Sequence, residues 1–256
     1  MMTGFWTIFL PVTAVVAVVF LYLLFYVWKG EKFRRLKISA QTAPPAIMKQ
    51  EIRFTAVSLI VFALAGWGLD KAIEKGWANV YSQPGGYSWV YLLISLVLAF
   101  LIHDTWFYWT HRLLHWKPVY KRVHNWHHRF HNPNPFTAFA FHPVEAVVQI
   151  AIVPIVGLIL PVYQGVLIFF ATFVLFMSVY GHLGFELRAN KKGVFKVFNT
   201  AIHHYQHHRY FHCNYGIYFN FWDRIMGTNH PTYPQAFIDF GEKVIKPEEP
   251  PVSRLK

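Results

Sequence analysis

Long apolar runs separated by polar segments organise the whole chain. Residues 5–28 contain no charged side chain, and this run of 24 residues is long enough to cross a bilayer as a helix. Four more apolar runs follow, at 54–69, 88–102, 144–160 and 162–180. We expect the 54–69 run to span only with help from its flanks, and the 88–102 run to continue into a polar, histidine-bearing helix. Pro161 separates the last two runs, which predicts a tight hairpin that need not cross fully.

The composition indicates an all-α integral membrane helical bundle with about four to five membrane segments. Hydrophobic residues make up 55% of the chain and charged residues 14%, well below the roughly 25% of soluble domains. Aromatic residues reach 19%, which suits side chains at membrane interfaces. Cys213 is the single cysteine, so an internal disulfide and thiolate metal clusters are both excluded.

Lysine and arginine are unevenly distributed, and their positions predict the topology. The stretches 29–53, 108–143 and 181–256 hold 7, 5 and 10 of the 24 basic residues, whereas the 70–87 loop holds 2 and 144–180 holds none. By the positive-inside rule the three rich stretches are cytoplasmic, which places the N-terminus outside and the C-terminus inside. The net charge of +12 then suits anionic lipid and not nucleic acid.

Eight of the 15 histidines fall into three clusters with helical spacing. Positions three and four apart share one face of a helix, so the rings of one cluster can reach a common ion. Packing has no need for groups of imidazoles, and without metal they leave many buried nitrogens unpaired. The clusters are H-x3-H at His111 and His115, H-x2-HH at His124, His127 and His128, and H-x2-HH at His204, His207 and His208.

Adjacent histidines indicate a site for two metal ions. The rings of His127 and His128 diverge by about 100° on a helix with roughly 3.6 residues per turn, so each can bind a different ion. All-nitrogen ligation suits iron, copper, zinc or nickel. Since the clusters fall in segments predicted to be cytoplasmic, all the dense histidine is expected on one side of the membrane.

Further ionisable residues are candidates for the same site. His182 lies where an apolar segment returns to the cytoplasmic side and is expected to be a ninth ligand. Asp104, seven residues before the first cluster, and Glu145 are expected to orient ligands through hydrogen bonds, although Asp104 equally suits a substrate cavity. His131 and His230 are expected to be interfacial side chains only. Additional ligands, or partners of ligands, are expected among His103, His142, His203 and His212.

Short motifs connect the histidine clusters in a fixed order. They occur at 103–104, 108–112, 114–115, 120–121, 124–128, 142–145, 204–208, 214–216, 222–224 and 227–228. Three histidine boxes followed by Trp-Asp-Arg and Gly-Thr are hard to obtain by accident. Over about residues 95–230 the chain resembles the fatty acid hydroxylase superfamily, which includes sterol desaturases and C-4 methylsterol oxidases.

The resemblance implies a base of four to six membrane helices under a cytosolic cap that holds two iron ions, for which zinc can substitute in purified protein. It implies the use of O2 and two electrons, supplied by a b-type cytochrome or ferredoxin with its NAD(P)H reductase, and a hydroxylated or desaturated lipid as product. It also implies that the eight clustered histidines are ligands, with His182 in the region of an extra one. Some members have another histidine four residues further on, where this chain has Glu186.

Three regions follow from this resemblance. Residues 1–94 are predicted to hold membrane helices and a basic cytoplasmic loop, and 95–230 the catalytic domain with the 144–180 hairpin. Residues 231–256 are predicted to be a C-terminal tail, irregular from residue 243. Aromatic residues at 103–109 and 136–141 either line a lipid path or pack in the core.

Two other functions stay open at this stage. One is an acyl-chain desaturase of the separate membrane desaturase family, against which the Trp-Asp-Arg and Gly-Thr motifs argue. The other is a divalent-metal transporter or metal-storage membrane protein, which predicts ionisable ligands within the spans. Sterol, fatty acyl, sphingoid and alkylglycerol substrates all stay open, as does the choice between hydroxylation and desaturation. The small size slightly favours a bacterial inner membrane over the endoplasmic reticulum.

Overall fold

The computed structural model describes residues 4–27, 35–39, 44–83, 87–187 and 193–245. Helices dominate these residues, and the two strands are very short. The helices are α1 Phe5–Tyr22, α2 Pro45–Glu74, α3 Trp89–Leu114, α4 Lys117–Val119, α5 Asn125–His128, α6 Pro143–Ile150, α7 Ile152–Ile159, α8 Gln164–Gly181, α9 Ala201–Tyr210, α10 Phe221–Ile225 and α11 Tyr233–Ile245. Strands β1 Val80–Tyr81 and β2 Val162–Tyr163, π-helical turns Leu23–Val27 and Tyr120–His124, and 3-10 turns Pro135–Phe139 and Val194–Lys196 complete the fold.

Among the described residues, four helices are long and apolar enough to cross a membrane: α1 with its π-helical turn, α2, α3 and α8. Large apolar side chains remain exposed along their outer faces, among them Phe20, Ile60, Leu64 and Leu93. Such side chains are stable against lipid and would be unfavourable in water. The prediction of an all-α membrane helical bundle is confirmed. Helix α3 also runs from its apolar part into the first histidine cluster without a break, as predicted.

Helix α2 is longer at both ends than the apolar run that predicted it. Pro45 occupies its first turn, where a missing N–H has no helical partner to lose. At the other end the helix continues through Glu74, so the predicted loop is wrong for residues 70–74. The buried Asp70 carboxylate accepts the N–H groups of Trp6 at 3.1 Å and Thr7 at 3.0 Å. It thereby caps α1, whose first N–H groups have no partner in their own helix.

The predicted hairpin at 144–180 is a broken helix followed by a long one. Helices α6 and α7 meet at Ala151 and together form only a shorter apolar segment, whereas α8 can span. Between α7 and α8, Val162 pairs with Val80 in the parallel β1–β2 contact. The expectation that this hairpin need not cross fully therefore agrees with the structure.

The remaining elements gather at the end of the bundle where α3 and α8 finish. Helices α5, α9, α10 and α11 and their loops form a cap there. Helix α11 packs Tyr233 and Phe237 against Ile202 of α9, so the segment predicted as a tail begins as a docked helix. Residues 243–245 are helical rather than irregular, and 246–256 lie outside the described residues.

Candidate metal centre

Nine imidazoles converge at the junction of the cap and the bundle. Within each of two groups, one ring nitrogen from every residue lies within 4.8 Å of the others. The rings of His128 and His208 lie 4.7 Å apart, centroid to centroid, so the two groups are neighbours. The five-histidine group is His111, His115, His124, His128 and His207, and the four-histidine group is His127, His182, His204 and His208.

Local helical geometry decides which histidine joins which group. His127 and His128 are consecutive in α5, and each belongs to a different group. His207 and His208, consecutive in α9, are divided in the same way. Because neighbouring side chains diverge by about 100° on a helix, one segment supplies both groups.

Backbone carbonyls orient three of these rings. Nδ1 of His111 donates to the carbonyl of Tyr215 at 2.8 Å, and Nδ1 of His207 donates to the carbonyl of Cys213 at 2.7 Å. In the four-histidine group, Nδ1 of His182 donates to the Ser178 carbonyl at 2.7 Å. A carbonyl oxygen has no hydrogen to give, so Nδ1 holds the proton and Nε2 of the neutral ring carries a lone pair.

The Nε2 atoms then crowd together more closely than hydrogen bonding explains. Nε2 of His128 lies 3.2 Å from that of His115, 3.1 Å from that of His124 and 3.0 Å from that of His207. One proton on His128 cannot serve three such contacts. A cation among the Nε2 atoms resolves the lone-pair repulsion, so the donor set fits a bound metal ion.

The four-histidine group repeats this pattern. Nε2 of His182 lies 3.0 Å from that of His127 and 2.9 Å from that of His204. His208 is fully buried, and neither of its ring nitrogens has a hydrogen-bond partner among the described residues. Buried polar atoms without partners are costly, and a metal ion supplies the missing one.

Burial favours the neutral form of several imidazoles of the two groups. Burial first, and neighbouring imidazoles second, hold the pKa of His124, His128 and His208 well below its usual range. Protonation would place several positive charges in a dry interior. Neutral imidazole is the form that binds a metal ion, so these rings are held ready for coordination.

A buried carboxylate supports the five-histidine group from outside. Oε1 of Glu145, in α6, lies 2.7 Å from Nδ1 of His124, and both side chains are almost fully buried. The sequence analysis expected Glu145 to orient a ligand without indicating which one. It fixes the ring so that Nε2 faces its group, and a carboxylate partner raises the basicity of a ligand imidazole.

Asp104 does not have the contact that its sequence position suggested. Its carboxylate accepts the backbone N–H groups of Tyr218 at 3.2 Å and Phe219 at 3.1 Å, and it does not orient His111. Asp104 and His111 are seven residues apart and share one face of α3, but the backbone N–H groups of residues 218 and 219 occupy the Asp104 carboxylate. Asp104 therefore joins α3 to that loop.

The four histidines proposed as additional ligands lie outside both groups. His103 hydrogen-bonds the Tyr218 hydroxyl at 2.7 Å, and His203 lies 3.4 Å from Asp223. His142 caps α6 by accepting the Val144 N–H at 3.2 Å. His212 is exposed, as are His131 and His230 over part of their surface.

Glu186, where the resemblance implied a histidine in some members, stabilises the start of α9. Its Oε2 accepts the N–H of Ile202 at 3.1 Å in the first turn of α9, and its Oε1 accepts the Tyr180 hydroxyl at 3.2 Å. Neither group of imidazoles includes it. A carboxylate at this helix N-terminus stabilises α9, which supplies three histidines of the site.

Asp223 was not singled out from the sequence except as part of a motif. It accepts the N–H of Tyr215 at 2.8 Å, the N–H of Gly216 at 2.7 Å and the hydroxyl of Thr228 at 2.7 Å. The Trp-Asp-Arg and Gly-Thr motifs thus fold the loop whose carbonyls orient His111 and His207. Every residue has a backbone carbonyl, so the sequence does not mark the ones that accept hydrogen bonds from these rings.

An apolar cavity lies beside the imidazoles and extends into the bundle. His111, His124, His127, His182 and His204 are among the residues that line it. Its other walls are mainly aromatic and aliphatic, including Phe62, Phe107, Phe139, Phe141, Ile150 and Leu175. Phe107, Phe139 and Phe141 come from the two aromatic segments for which a lipid path was considered. Polar residues, among them Gln149, Ser178 and Asn199, complete its lining, and a largely apolar cavity with some polar groups is typical of a small-molecule site.

Comparison with known proteins assigns the chain to a family. A model of the fatty acid hydroxylase family matches residues 96–228, which include all nine histidines. The chain belongs to this family. The recognised resemblance and its span are confirmed, and the alternative of a separate membrane desaturase family is not favoured. No solved structure matches the chain.

Several sterol-oxidising proteins are similar to this member of the fatty acid hydroxylase family. Mouse lathosterol oxidase is 33% identical over 189 residues, covering 72% of this chain and 62% of that protein. The Δ7-sterol 5(6)-desaturase of Gibberella zeae is 30% identical over 188 residues, covering 73% and 58%. Human lathosterol oxidase is 32% identical over 190 residues, covering 71% and 60%. The chain thus spans about three fifths of the length of these curated relatives.

Proposed function

We propose that this protein is an O2-dependent di-iron oxygenase that hydroxylates or desaturates a membrane lipid. The observation that carries the proposal is the convergence of nine imidazoles, in groups of five and four, beside an apolar cavity. The ligands of one ion are His111, His115, His124, His128 and His207; those of the other are His127, His182, His204 and His208.

The reaction requires a cofactor because no side chain oxidises an unactivated C–H bond. Two bound iron ions supply the reduction of O2 and the oxidation of that bond. One O2, two electrons and two protons convert a C–H group into an alcohol and water, or a CH–CH unit into an alkene and two waters. Iron also agrees with all-imidazole ligation, which suits several first-row metals.

The protein positions the metal ions and the substrate and excludes water. Glu145 holds His124, and the carbonyls of Tyr215 and Cys213 hold His111 and His207, so the rings need little rearrangement when metal binds. The aromatic walls of the cavity keep water away from the reacting carbon. They also give a lipid a path from the bundle interior to the histidines.

The relatives support a sterol-like substrate. The names of the mouse, human and fungal proteins specify lathosterol oxidation and Δ7-sterol 5(6)-desaturation. A rigid, largely apolar lipid suits the apolar walls of the cavity. We extend this substrate class, and the reaction of removing hydrogen from a ring carbon, to the present protein.

The electron donor and the orientation of the protein in the membrane belong to the same proposal. A reduced b-type cytochrome or a ferredoxin, with its NAD(P)H reductase, supplies electrons at the cytoplasmic face, where the basic segments place the cap. The similar proteins named above are from mouse, human and a fungus, so the endoplasmic reticulum fits at least as well as a bacterial inner membrane.

The transporter alternative receives no support from the spans. The buried carboxylates of the described spans are Glu51, Asp70 and Asp104, and each is held by protein donors: Glu51 by Asn134 and Thr137, Asp70 by the start of α1, and Asp104 by the loop at 218–219. A transporter places ligands along a path through the membrane. Here the imidazoles gather at one end of the bundle instead.

Metal analysis of the detergent-purified protein tests the proposal. We expect about two irons per chain after anaerobic loading with iron-57, with Mössbauer spectra of an antiferromagnetically coupled pair. His127→Ala and His207→Ala should each lose iron, whereas His131→Ala, at an exposed position, should retain it. If the protein binds no iron, the oxygenase proposal fails. If it binds only exchangeable zinc and carries this zinc across vesicle membranes, the transporter becomes the favoured function.

A further inference from the structure

Five basic residues lie on the segment between α3 and α5 and at the ends of α5 and α9, which the Tyr120–Phe211 and His128–His208 ring contacts bring together. All five members are exposed, and none lies within 4.0 Å of a carboxylate among the described residues. Lys117, Lys121 and Arg122 follow soon after the end of α3. The apolar side chains of Leu113 and Trp116 are exposed at that end, as expected where a chain leaves the membrane. We call the cluster the basic face; it consists of Lys117, Lys121, Arg122, Arg129 and Arg209.

Acidic side chains do not offset this charge. The carboxylates nearest the metal centre, Glu145, Glu186 and Asp223, are fully buried and engaged inside the protein. The exposed described carboxylates are Glu74 at the end of α2 and, within the cap, Asp239 and Glu242 on α11, a helix that carries none of the five basic residues. A surface with one sign of charge attracts a partner of the opposite sign over about 10 Å at ordinary ionic strength.

Two aromatic rings connect the basic face with the imidazoles below it. The half-buried Tyr120 ring lies 5.4 Å from the ring of His115 and 5.7 Å from that of His128, centroid to centroid. Phe211 lies 5.1 Å from His128 and 6.3 Å from Tyr120. His115 is itself the partly exposed member of the five-histidine group. At this place only one layer of side chains separates the site from the surface.

We propose that the basic face is the docking surface for an acidic, soluble one-electron carrier protein, and that electrons enter through Tyr120 and Phe211 to the five-histidine group. The inference rests on the proposed function, which consumes two electrons in each turnover. Each encounter passes one electron from the reduced carrier to the metal centre, and the carrier leaves oxidised. Two successive encounters therefore serve one turnover, which requires weak, rapidly exchanging and electrostatically steered binding.

Binding without redox chemistry is the first test. The full chain, loaded with zinc in an uncharged detergent, is titrated with oxidised plant-type [2Fe–2S] ferredoxin as the acidic probe. We expect Lys121→Glu/Arg122→Glu to weaken binding at least tenfold at low salt, with metal content unchanged. Lys71→Glu/Lys75→Glu makes the same charge change at the end of α2 and should stay within about twofold of the unaltered protein. Ferredoxin whose carboxyl groups have been amidated should bind the unaltered protein as weakly as unmodified ferredoxin binds Lys121→Glu/Arg122→Glu.

Several outcomes overturn the inference. One is that ferredoxin does not bind the unaltered protein at low salt. The others are that both double variants lose ferredoxin affinity equally, or that Lys121→Glu/Arg122→Glu binds ferredoxin as tightly as the unaltered protein. If that variant keeps its affinity for ferredoxin but loses co-purified anionic phospholipid, the face binds lipid headgroups instead.

Reduction of the iron-loaded protein separates this inference from the proposed function. Dithionite is small and should reduce the unaltered protein and both double variants at similar rates. Reduced ferredoxin should reduce Lys121→Glu/Arg122→Glu at least tenfold more slowly than the others. If dithionite reduces no bound metal, the oxygenase proposal fails; if dithionite succeeds and ferredoxin does not discriminate, only the docking surface fails.

Discussion

The backbone N–H of Tyr215 donates to Oδ1 of Asp223 over 2.8 Å, while the carbonyl of the same residue accepts Nδ1–H of His111 over 2.8 Å. One peptide segment thus connects a buried carboxylate with a predicted metal ligand. The carboxylate fixes the loop, and the loop fixes the imidazole. Residues distant from the metal in sequence therefore control the geometry of the site.

Asp223→Asn should loosen this loop. The amide brings an N–H group into a position where the carboxylate accepted three hydrogen bonds. We expect a loss of about 1–3 kcal/mol in the free energy of unfolding, measured in detergent, together with weaker iron retention. Asp239→Asn, at an exposed position on α11, is the matched control and should leave both quantities unchanged. Equal effects of the two substitutions would contradict this role for Asp223.

The stability of the cap should depend on pH, because protonation of Asp223 in acid weakens its contacts. Burial raises its pKa, but the adjacent His203 ring and hydrogen bonds from Thr228 and Gly216 outweigh burial and lower it to about 2, from an ordinary 3.8. Because the folded-state pKa is the lower one, the stabilisation is present above about pH 4 and is lost as the pH falls towards 2. The loss amounts to about 2 kcal/mol. Unfolding curves between pH 5 and pH 2.5 should fall more steeply for the unaltered protein than for Asp223→Asn; parallel curves would refute the assignment.

Glu145→Gln should weaken the five-histidine group without unfolding the protein. The amide retains the volume and can still accept Nδ1–H of His124, which lies 2.7 Å from Oε1 of Glu145, but it cannot carry a negative charge. Loss of such a partner costs about 10- to 100-fold in metal affinity. Competition with a chelator measures the change, and Glu242→Gln on the surface of α11 is the control. An unaltered affinity in Glu145→Gln would show that the contact does not tune the ligand.

Substitution of adjacent histidines should remove different ions. His127 belongs to the four-histidine group and His128 to the five-histidine group, although they are consecutive. We expect His127→Ala and His128→Ala each to reduce the metal content from about two ions to about one. The two variants should then differ in the spectrum of the remaining ion, because its ligand sets differ. Identical spectra, or complete loss in both, would argue against two separable sites.

A glycine pair tests the packing of the bundle. A Cβ at Gly66 would overlap the Trp6 carbonyl of α1, whereas one at Gly68 meets nothing within 4 Å. Gly66→Ala should therefore cost about 1–3 kcal/mol by forcing α1 away from α2. Gly68→Ala should be neutral or stabilise by up to about 1 kcal/mol, since alanine favours the helix. Thermal unfolding midpoints in detergent compare the two, and equal midpoints would contradict this close approach.

Much of the fold follows from the lengths of the apolar runs. The runs at 5–28, 88–102 and 162–180 predict α1, α3 and α8, because a lipid-exposed segment must satisfy its backbone within a helix. The extension of α2 through Asp70 was missed. Polarity at that position indicates a loop, yet the carboxylate is buried and satisfied by α1. Such a partner, 64 residues away in the chain, leaves no local pattern.

The sequence by itself determined the family through its ordered motifs and the helical membrane class through its apolar runs. It also indicated the eight clustered histidines, because helical spacing within each cluster places rings on a common face, and His182 from the position where its apolar segment ends. Only the tertiary structure decided their division into five and four, the separation of His103, His142, His203 and His212 from both groups, and the attachment of Asp104 to a loop. It also supplied the carbonyl of Tyr215, 104 residues from His111. Periodicity reports which side chains share a helix face, whereas the backbone groups that meet that face depend on long-range packing.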